Sequence, residues 1–232
     1  LAASDTVTIT TFFNEAMTAT PTISISGTSI SNQVMTKIIG GSGSGSHSLL
    51  GVDIDGEAAG DTMGRSVSLS SDGSRVAIGA HGNDGNGENS GHVRIYDYNA
   101  STEVWDQVGE DINGEASNDY SGWAVSLSSD GTRVAIGAHL NDENGLMSGH
   151  VRIYDYVNSD WVQAGDDING EASNDFSGAS VSLSSDGSRV AIGAYQNGGN
   201  GSRSGHVRIY DYNASTGVWS KLGDDIDGEA AD

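Results

Sequence analysis

Carboxylates and amides recur along this sequence in a fixed order, with the spacing of oxygen ligands for a hard cation. Asp53, Asp55, Glu57 and Asp61 return as Asp111, Asn113, Glu115 and Asp119, and again as Asp167, Asn169, Glu171 and Asp175. Each set occupies relative positions 1, 3, 5 and 9. Calcium loops space their oxygens in a similar way, although the glycine falls here at position 4 rather than 6. Between the runs lie further acids and amides: Asn83, Asp84 and Asn86, then Asn141, Asp142 and Asn144, then Asn197 and Asn200. Calcium is the cofactor this pattern predicts. The competing reading is that Asp-Gly and Asn-Gly dipeptides only turn the chain.

The histidines invite a different chemistry. His92, His150 and His206 share one repeat position, beside Arg94, Arg152 and Arg208, while His81 and His139 share another with Tyr195. A group present in every repeat is expected to pack, because catalysis needs one asymmetric site. No Ser-His-Asp grouping and no phosphate-binding glycine loop stands out, so no catalytic residue is assigned. Nor does anything single out the acid pair of a glycoside hydrolase. Asn99-Ala-Ser, Asn200-Gly-Ser and Asn213-Ala-Ser match the N-glycosylation pattern.

Composition narrows the classes. The 232 residues hold 32 acidic and 10 basic side chains, a net charge of −22, which repels nucleic acid. There is no cysteine, hence no disulfide, thiol catalysis or thiolate zinc site. No apolar run is long enough for a membrane helix, so no membrane insertion is expected. The charge is uneven: residues 1–50 contain only Asp5, Glu15 and Lys37. The sequence opens at Leu1 without a secretory signal and reads as a processed chain or a piece of a longer one.

The elements that must position these side chains come from a repeat. Asp53-Ile-Asp-Gly-Glu-Ala recurs from Asp111, Asp167 and Asp225, at spacings of 58, 56 and 58. The middle unit is shorter between Tyr156 and Trp161, which marks a hairpin tip there. Each unit reads as four short strands. In the first these are Ser66-Val-Ser-Leu-Ser, Arg75-Val-Ala-Ile-Gly-Ala, Gly91-His-Val-Arg-Ile-Tyr-Asp-Tyr and Val104-Trp-Asp-Gln-Val-Gly. Their alternation has period two, with Asp-Gly turns. Val and Ile are expected on one face, and Ser, Ala and Gly with His92, Arg94 and Tyr96 on the other. A sheet apolar or small on both faces needs neighbours on both sides, which four-stranded units satisfy as the blades of a β-propeller. The fold expected is all-β: an array of four-stranded antiparallel blades with three full repeats. Alternating strand direction would bring the loop after strand two and the connection after strand four, with their acids, to one face.

Tyr120-Ser-Gly-Trp-Ala-Val, Val134-Ala-Ile-Gly-Ala and Ser148-Gly-His-Val-Arg-Ile-Tyr together resemble the FG-GAP repeat of integrin α-chain propellers and related bacterial surface proteins. Phe176-Ser-Gly with Ile192-Gly-Ala, and Met63-Gly with Ile78-Gly-Ala, repeat these landmarks, so the resemblance covers residues 51–232. It implies a propeller at the cell surface. The family's calcium loop, Asp-x-Asp-x-Asp-Gly between the first two strands, is replaced by Ser-Ser-Asp-Gly at Ser70 to Gly73. One carboxylate cannot supply six oxygens, so that site is not carried over.

Residues 1–39 lack the repeat. Phe13 to Gly27 resembles the Ig-like domains of large bacterial adhesins, which implies a partial Ig-like β segment of about three strands. Residues 40–47 read as a Gly/Ser linker, natural or engineered. The plan is then 48–110 for the first blade with a preceding outer strand, 111–166 and 167–224 for the next two, and 225–232 for the start of another. Ser48 to Ile54 matches the fourth-strand pattern of Ser220 to Ile226. The N-terminal strands could complete a fourth blade, pair with another molecule, or be an artificial fragment.

The function expected is non-enzymatic: an extracellular or cell-surface structural or adhesive protein that self-assembles into a polymer through incomplete β units. Its partners would be other copies of itself or neighbouring β domains. The alternatives are a calcium-dependent ligand- or glycan-binding propeller, for which Trp123 and Tyr195 are the candidate aromatics, and a glycan hydrolase.

Overall fold

The computed structural model describes residues 49–229, and the Ig-like strands, the Gly/Ser linker and the last residues of the further repeat lie outside them. Three antiparallel sheets follow one another. The first holds β1 (Ser66–Leu69), β2 (Arg75–Ala80), β3 (His92–Asn99) and β4 (Val104–Gln107), with the two-residue β5 (Ile112–Asn113) also paired to β3. The second repeats it with β6 (Ala124–Leu127), β7 (Arg133–Ala138), β8 (His150–Val157), β9 (Asp160–Gln163) and β10 (Ile168–Asn169). The third holds β11 (Ser177–Leu183), β12 (Arg189–Ala194), β13 (His206–Asn213), β14 (Val218–Lys221) and β15 (Ile226–Asp227). These are the blades the repeat predicts. No helix occurs among the described residues, so none is long and apolar enough to cross a membrane.

Local chemistry explains each blade. The Ser-Asp-Gly turn between β1 and β2 is held by Asp72, whose Oδ1 accepts from the Ser74 amide at 3.0 Å, the Ser70 hydroxyl at 2.7 Å and the Ser74 hydroxyl at 2.8 Å. Those donors lower the Asp72 pKa to about 2, led by the Ser74 amide. Gly73 follows at φ 71°, a left-handed conformation that glycine adopts freely. Asp72 thus staples a turn. The outer edge is broken: β4 pairs with the end of β3, and β5 with its start.

Register corrects the expected division of faces. Val76 opposes Tyr96, Ile78 opposes Arg94 and Ala80 opposes His92, so these side chains share one face, together with Val67 and Leu69. The small residues Ala77 and Gly79 lie instead with Val93 and Ile95. The second face of one blade packs against the first face of the next. Ala77, Val93, Ile95 and Ile112 of blade one meet Val125, Leu127, Val134, Ile136 and Tyr154 of blade two. Ala135, Val151, Ile153 and Ile168 of blade two meet Val190 and Ile192 of blade three. Each fully buried Val, Leu or Ile side chain contributes roughly 1.5–3 kcal/mol.

Candidate functional site

The loop after β2 and the connection after β5 emerge on one face and are tied together. The Asn86 amide group donates to the Gly114 carbonyl at 2.8 Å, and the Asn118 N–H donates to Glu88 O at 2.7 Å. The calcium-patterned residues of one connection do not gather around a common point; they are distributed among different partners. Asp61, Asp119 and Asp175 are buried and accept from Asn83, Asn141 and Asn197 at 3.0, 3.0 and 2.9 Å. Asp84 and Asp142 accept the Asn89 and Met147 amides at 2.7 and 2.6 Å. These five shape loops. Asp53 and Asp55 are exposed, and Asn113 and Asn169 lie in β5 and β10.

The remaining acids assemble with histidines into three clusters, each taking its members from consecutive connections. Glu57, His92 and Asp111 form the first, Glu115, Glu143, His150 and Asp167 the second, and Glu171, His206 and Asp225 the third. In each, one potential ligand atom per residue lies within 4.8 Å of the others. The histidines start β3, β8 and β13 and are almost wholly buried. Arg94 grips both carboxylate oxygens of Asp111 at 2.8 Å and also pairs with Glu57. Its guanidinium therefore holds Asp111 below the usual carboxylate range, while burial pushes Glu115 up. Acid spacing alone does not assign the histidine and Glu143 contributions. Glu143 was nonetheless readable in sequence, because it stands where the other repeats have Gly85 and Gly199.

A second set of rings runs between blades. His81 meets Trp123 and Tyr120 at 5.0 and 5.5 Å between centroids, and His139 meets Trp123 and Phe176 at 4.3 and 5.9 Å. Tyr120 and Phe176 both take φ 57°, a strained backbone for bulky residues. Trp123 is committed to this stack, with the Arg65 guanidinium 4.2 Å from its ring. Tyr195, at the position of His81 and His139, packs on Phe176 but stays exposed, since no following blade covers it among the described residues.

Burial lowers the His139 pKa from the usual 6.5 to about 4, with His81 and Arg65 adding smaller repulsions. Above pH 6.5 the imidazole is neutral in both folded and unfolded chains and contributes no pH dependence. Between 6.5 and 4 the unfolded chain binds the extra proton, so stability falls by about 1.4 kcal/mol per pH unit. Thermal melts of His139→Gln should lose less stability than wild type from pH 7 to 4.5. Equal slopes would remove His139 as the cause.

The seams between blades are built from repeated bonds. Ser68 Oγ accepts the Leu127 amide at 2.9 Å, as Ser126 Oγ accepts Leu183 at 3.0 Å. Arg75 donates to Gly131 O at 3.0 Å, as Arg133 donates to Gly187 O at 2.9 Å. Trp161 Nε1 donates to Val108 O, and Trp219 Nε1 to Ala164 O, both at 2.8 Å. Gly79 and Gly137 receive the backbone carbonyls of Gly122 and Gly178 so closely that a Cβ could not fit. Among the described residues, blade three offers the same features outward without a partner: the Arg189 side chain is 53% exposed where Arg75 and Arg133 are 13%, and Gly193 meets no neighbouring blade. Val207, Leu222 and Ile226 are exposed beside them. At the other end Val67 and Leu69 are 62% and 59% exposed, whereas Val125 and Leu127 in blade two are 9% and 7%. Part of that end is covered by Leu50, whose carbonyl accepts from Trp105 Nε1 at 3.0 Å, and by Ile54.

Among solved structures, the chain is similar to a putative 6-phosphogluconolactonase from Bacteroides fragilis, at 15% identity and a TM-score of 0.52, over 75% of this chain and 41% of that one. It is also similar to a periplasmic gluconolactonase from Pseudomonas aeruginosa, at 12% identity and a TM-score of 0.45, over 68% of this chain and 44% of that one. The chain thus spans about two fifths of the length of these proteins, and the first likeness is one of fold alone. No curated protein matches it. The family model described as FG-GAP repeat matches residues 53–96 and 113–154, so the first two blades carry FG-GAP repeats, as their landmarks predict.

Proposed function

We propose that this is a non-enzymatic, extracellular structural or adhesive protein whose open blade faces are completed by further copies of the same chain. The observation that carries this reading is the outward face of blade three. It presents the same half of a seam that blades one and two use internally, and the exposed Val67 and Leu69 belong to the other half. A contact between two different faces is heterologous, and where the rotation does not close it grows a filament. Resemblance to surface-protein repeats and the strongly acidic composition support an extracellular setting. Recurrence of a buried histidine with acids in each blade supports a structural rather than catalytic role for these groups, and the lactonase names of similar folds are not carried over at 15% identity.

Light scattering of the full chain across a wide concentration range tests the proposal. The average mass should rise above that of one chain, and Val207→Asp with Ile226→Asp should restore the single-chain mass without lowering the melting temperature. A wild-type chain that stays monomeric throughout would overturn the reading.

A further inference from the structure

We propose that the middle cluster, Glu115, Glu143, His150 and Asp167, binds one divalent cation of the zinc and manganese class. The repeat supplies its own controls. In the first cluster, Arg94 holds both Asp111 oxygens and pairs with Glu57; in the third, Arg208 contacts Glu171 and Asp225, and Lys221 adds a contact to Asp225 at 2.6 Å. The first cluster thus sets one guanidinium against two acids, and the third sets an arginine and a lysine against two. In the middle cluster Arg152 is turned aside. Its Nη2 donates to the Asn113 carbonyl at 2.7 Å, its Nη1 stands 3.4 Å from Glu115, and its buried Nε has no partner.

A third acid is present only here. Glu143 occupies the place of Gly85 and Gly199, so three carboxylates face one guanidinium and leave two uncompensated negative charges. A divalent cation balances that charge. An independent observation points the same way: His150, 1% exposed, has an Nδ1 with no hydrogen-bond partner, 3.5 Å from Asp167 Oδ2 and 3.8 Å from Glu115 Oε2. A buried imidazole nitrogen aimed between carboxylates is unsatisfied as it stands and becomes satisfied as a ligand. Asn169, the register partner of His150, adds a second buried and unpartnered atom, Oδ1.

The donor set selects the ion. Calcium takes six to eight oxygens and does not favour nitrogen. Imidazole suits zinc and other transition ions, and carboxylate suits manganese, so a mixed set favours those ions over calcium. The cluster closes over the seam between blades one and two, joining the connection before blade two, the loop after β7, the start of β8 and the residues leading into β10. Bound metal would fasten those elements together.

The test uses the full chain, stripped with a chelator and titrated calorimetrically with Zn2+, Mn2+ and Ca2+ at about 0.15 M salt, which screens diffuse attraction to the acidic surface. One Zn2+ or Mn2+ per chain is expected, bound at least tenfold more tightly than Ca2+. Glu143→Gly restores the residue of the other repeats, so it should leave the metal-free melting temperature unchanged. It should weaken binding by more than the about 10–100-fold typical of changes to groups that only support the ligands. His150→Gln should weaken it as well. Absence of saturable binding, three equivalent ions per chain, preference for Ca2+, or unchanged affinity in Glu143→Gly would each overturn the proposal.

Discussion

Gly137→Val should destabilise the fold by at least about 3 kcal/mol, the upper range of overpacking penalties, whereas Gly193→Val at the same repeat position should cost less than about 1 kcal/mol. The difference follows from what each Cβ would meet. At Gly137 it meets the Gly178 carbonyl, carbonyl carbon and Cα, all backbone of the adjacent blade, which cannot rotate away. Blades two and three would have to separate, exposing the cluster built on Ala135, Val151, Val190 and Ile192. At Gly193 the nearest atom is Ser180 Oγ, a side chain free to change rotamer. For a unit of this size, 3 kcal/mol is a melting-temperature loss of about 6–12 °C. Calorimetric melts of both variants decide the matter: equal losses would mean that seam contact is not what constrains Gly137. If copies associate through blade three, Gly193→Val should also abolish association while lowering the melting temperature by less than about 4 °C.

Trp161→Ala is the second large expected effect, a loss of about 3–5 kcal/mol. Trp161 is 7% exposed and packs in the cluster shared by blades one and two, against Tyr156 at 5.1 Å. Its Nε1 also donates across the seam to Val108 O. Truncation leaves a cavity and an unpaired carbonyl. Trp161→Phe retains most of the packing and should lose only about 1 kcal/mol for the bond. Trp105→Ala, at the more exposed first blade, should cost less than Trp161→Ala. Denaturant titrations that rank Trp105 above Trp161 would contradict the assignment of blade one as the open end.

The blades were legible because repeated period-two strands leave little choice: Arg75–Ala80, Arg133–Ala138 and Arg189–Ala194 are the same six residues and form the same strand. The faces were not. Alternation sorts residues within a strand, but the relative phase of β2 and β3 depends on register across residues 81–91, too long a loop to fix it. That is why alternation alone puts His92, Arg94 and Tyr96 on the face opposite Val76 and Ile78, whereas the register sets them side by side. The grouping of the acids depends on packing for a related reason. Spacing along one connection suggests a shared ligand, whereas the structure brings together acids of successive connections: Asp111 lies with Glu57 of the preceding one and Glu115 with Asp167 of the following one. The break between β4 and β5 places Asp111 under Arg94, and no motif encodes that break. What sequence did hold was the exception, Glu143, visible only by asking where a repeat fails to repeat.

Leu50 and Ile54 occupy on blade one the places that Val108 and Ile112 occupy on blade two. Among the described residues there are therefore four outer-edge segments for three sets of inner strands. If a second chain brings its blade three to that end, β14 and β15 arrive at a position already filled, and one edge must peel away as the other zips on. Such growth resembles branch migration with a toehold: Val67 and Leu69 offer the first foothold, and the incoming edge displaces the resident one residue by residue. Its speed would then be governed by how firmly Trp105 holds Leu50, so loosening that single hydrogen bond should accelerate joining without altering the surfaces that join.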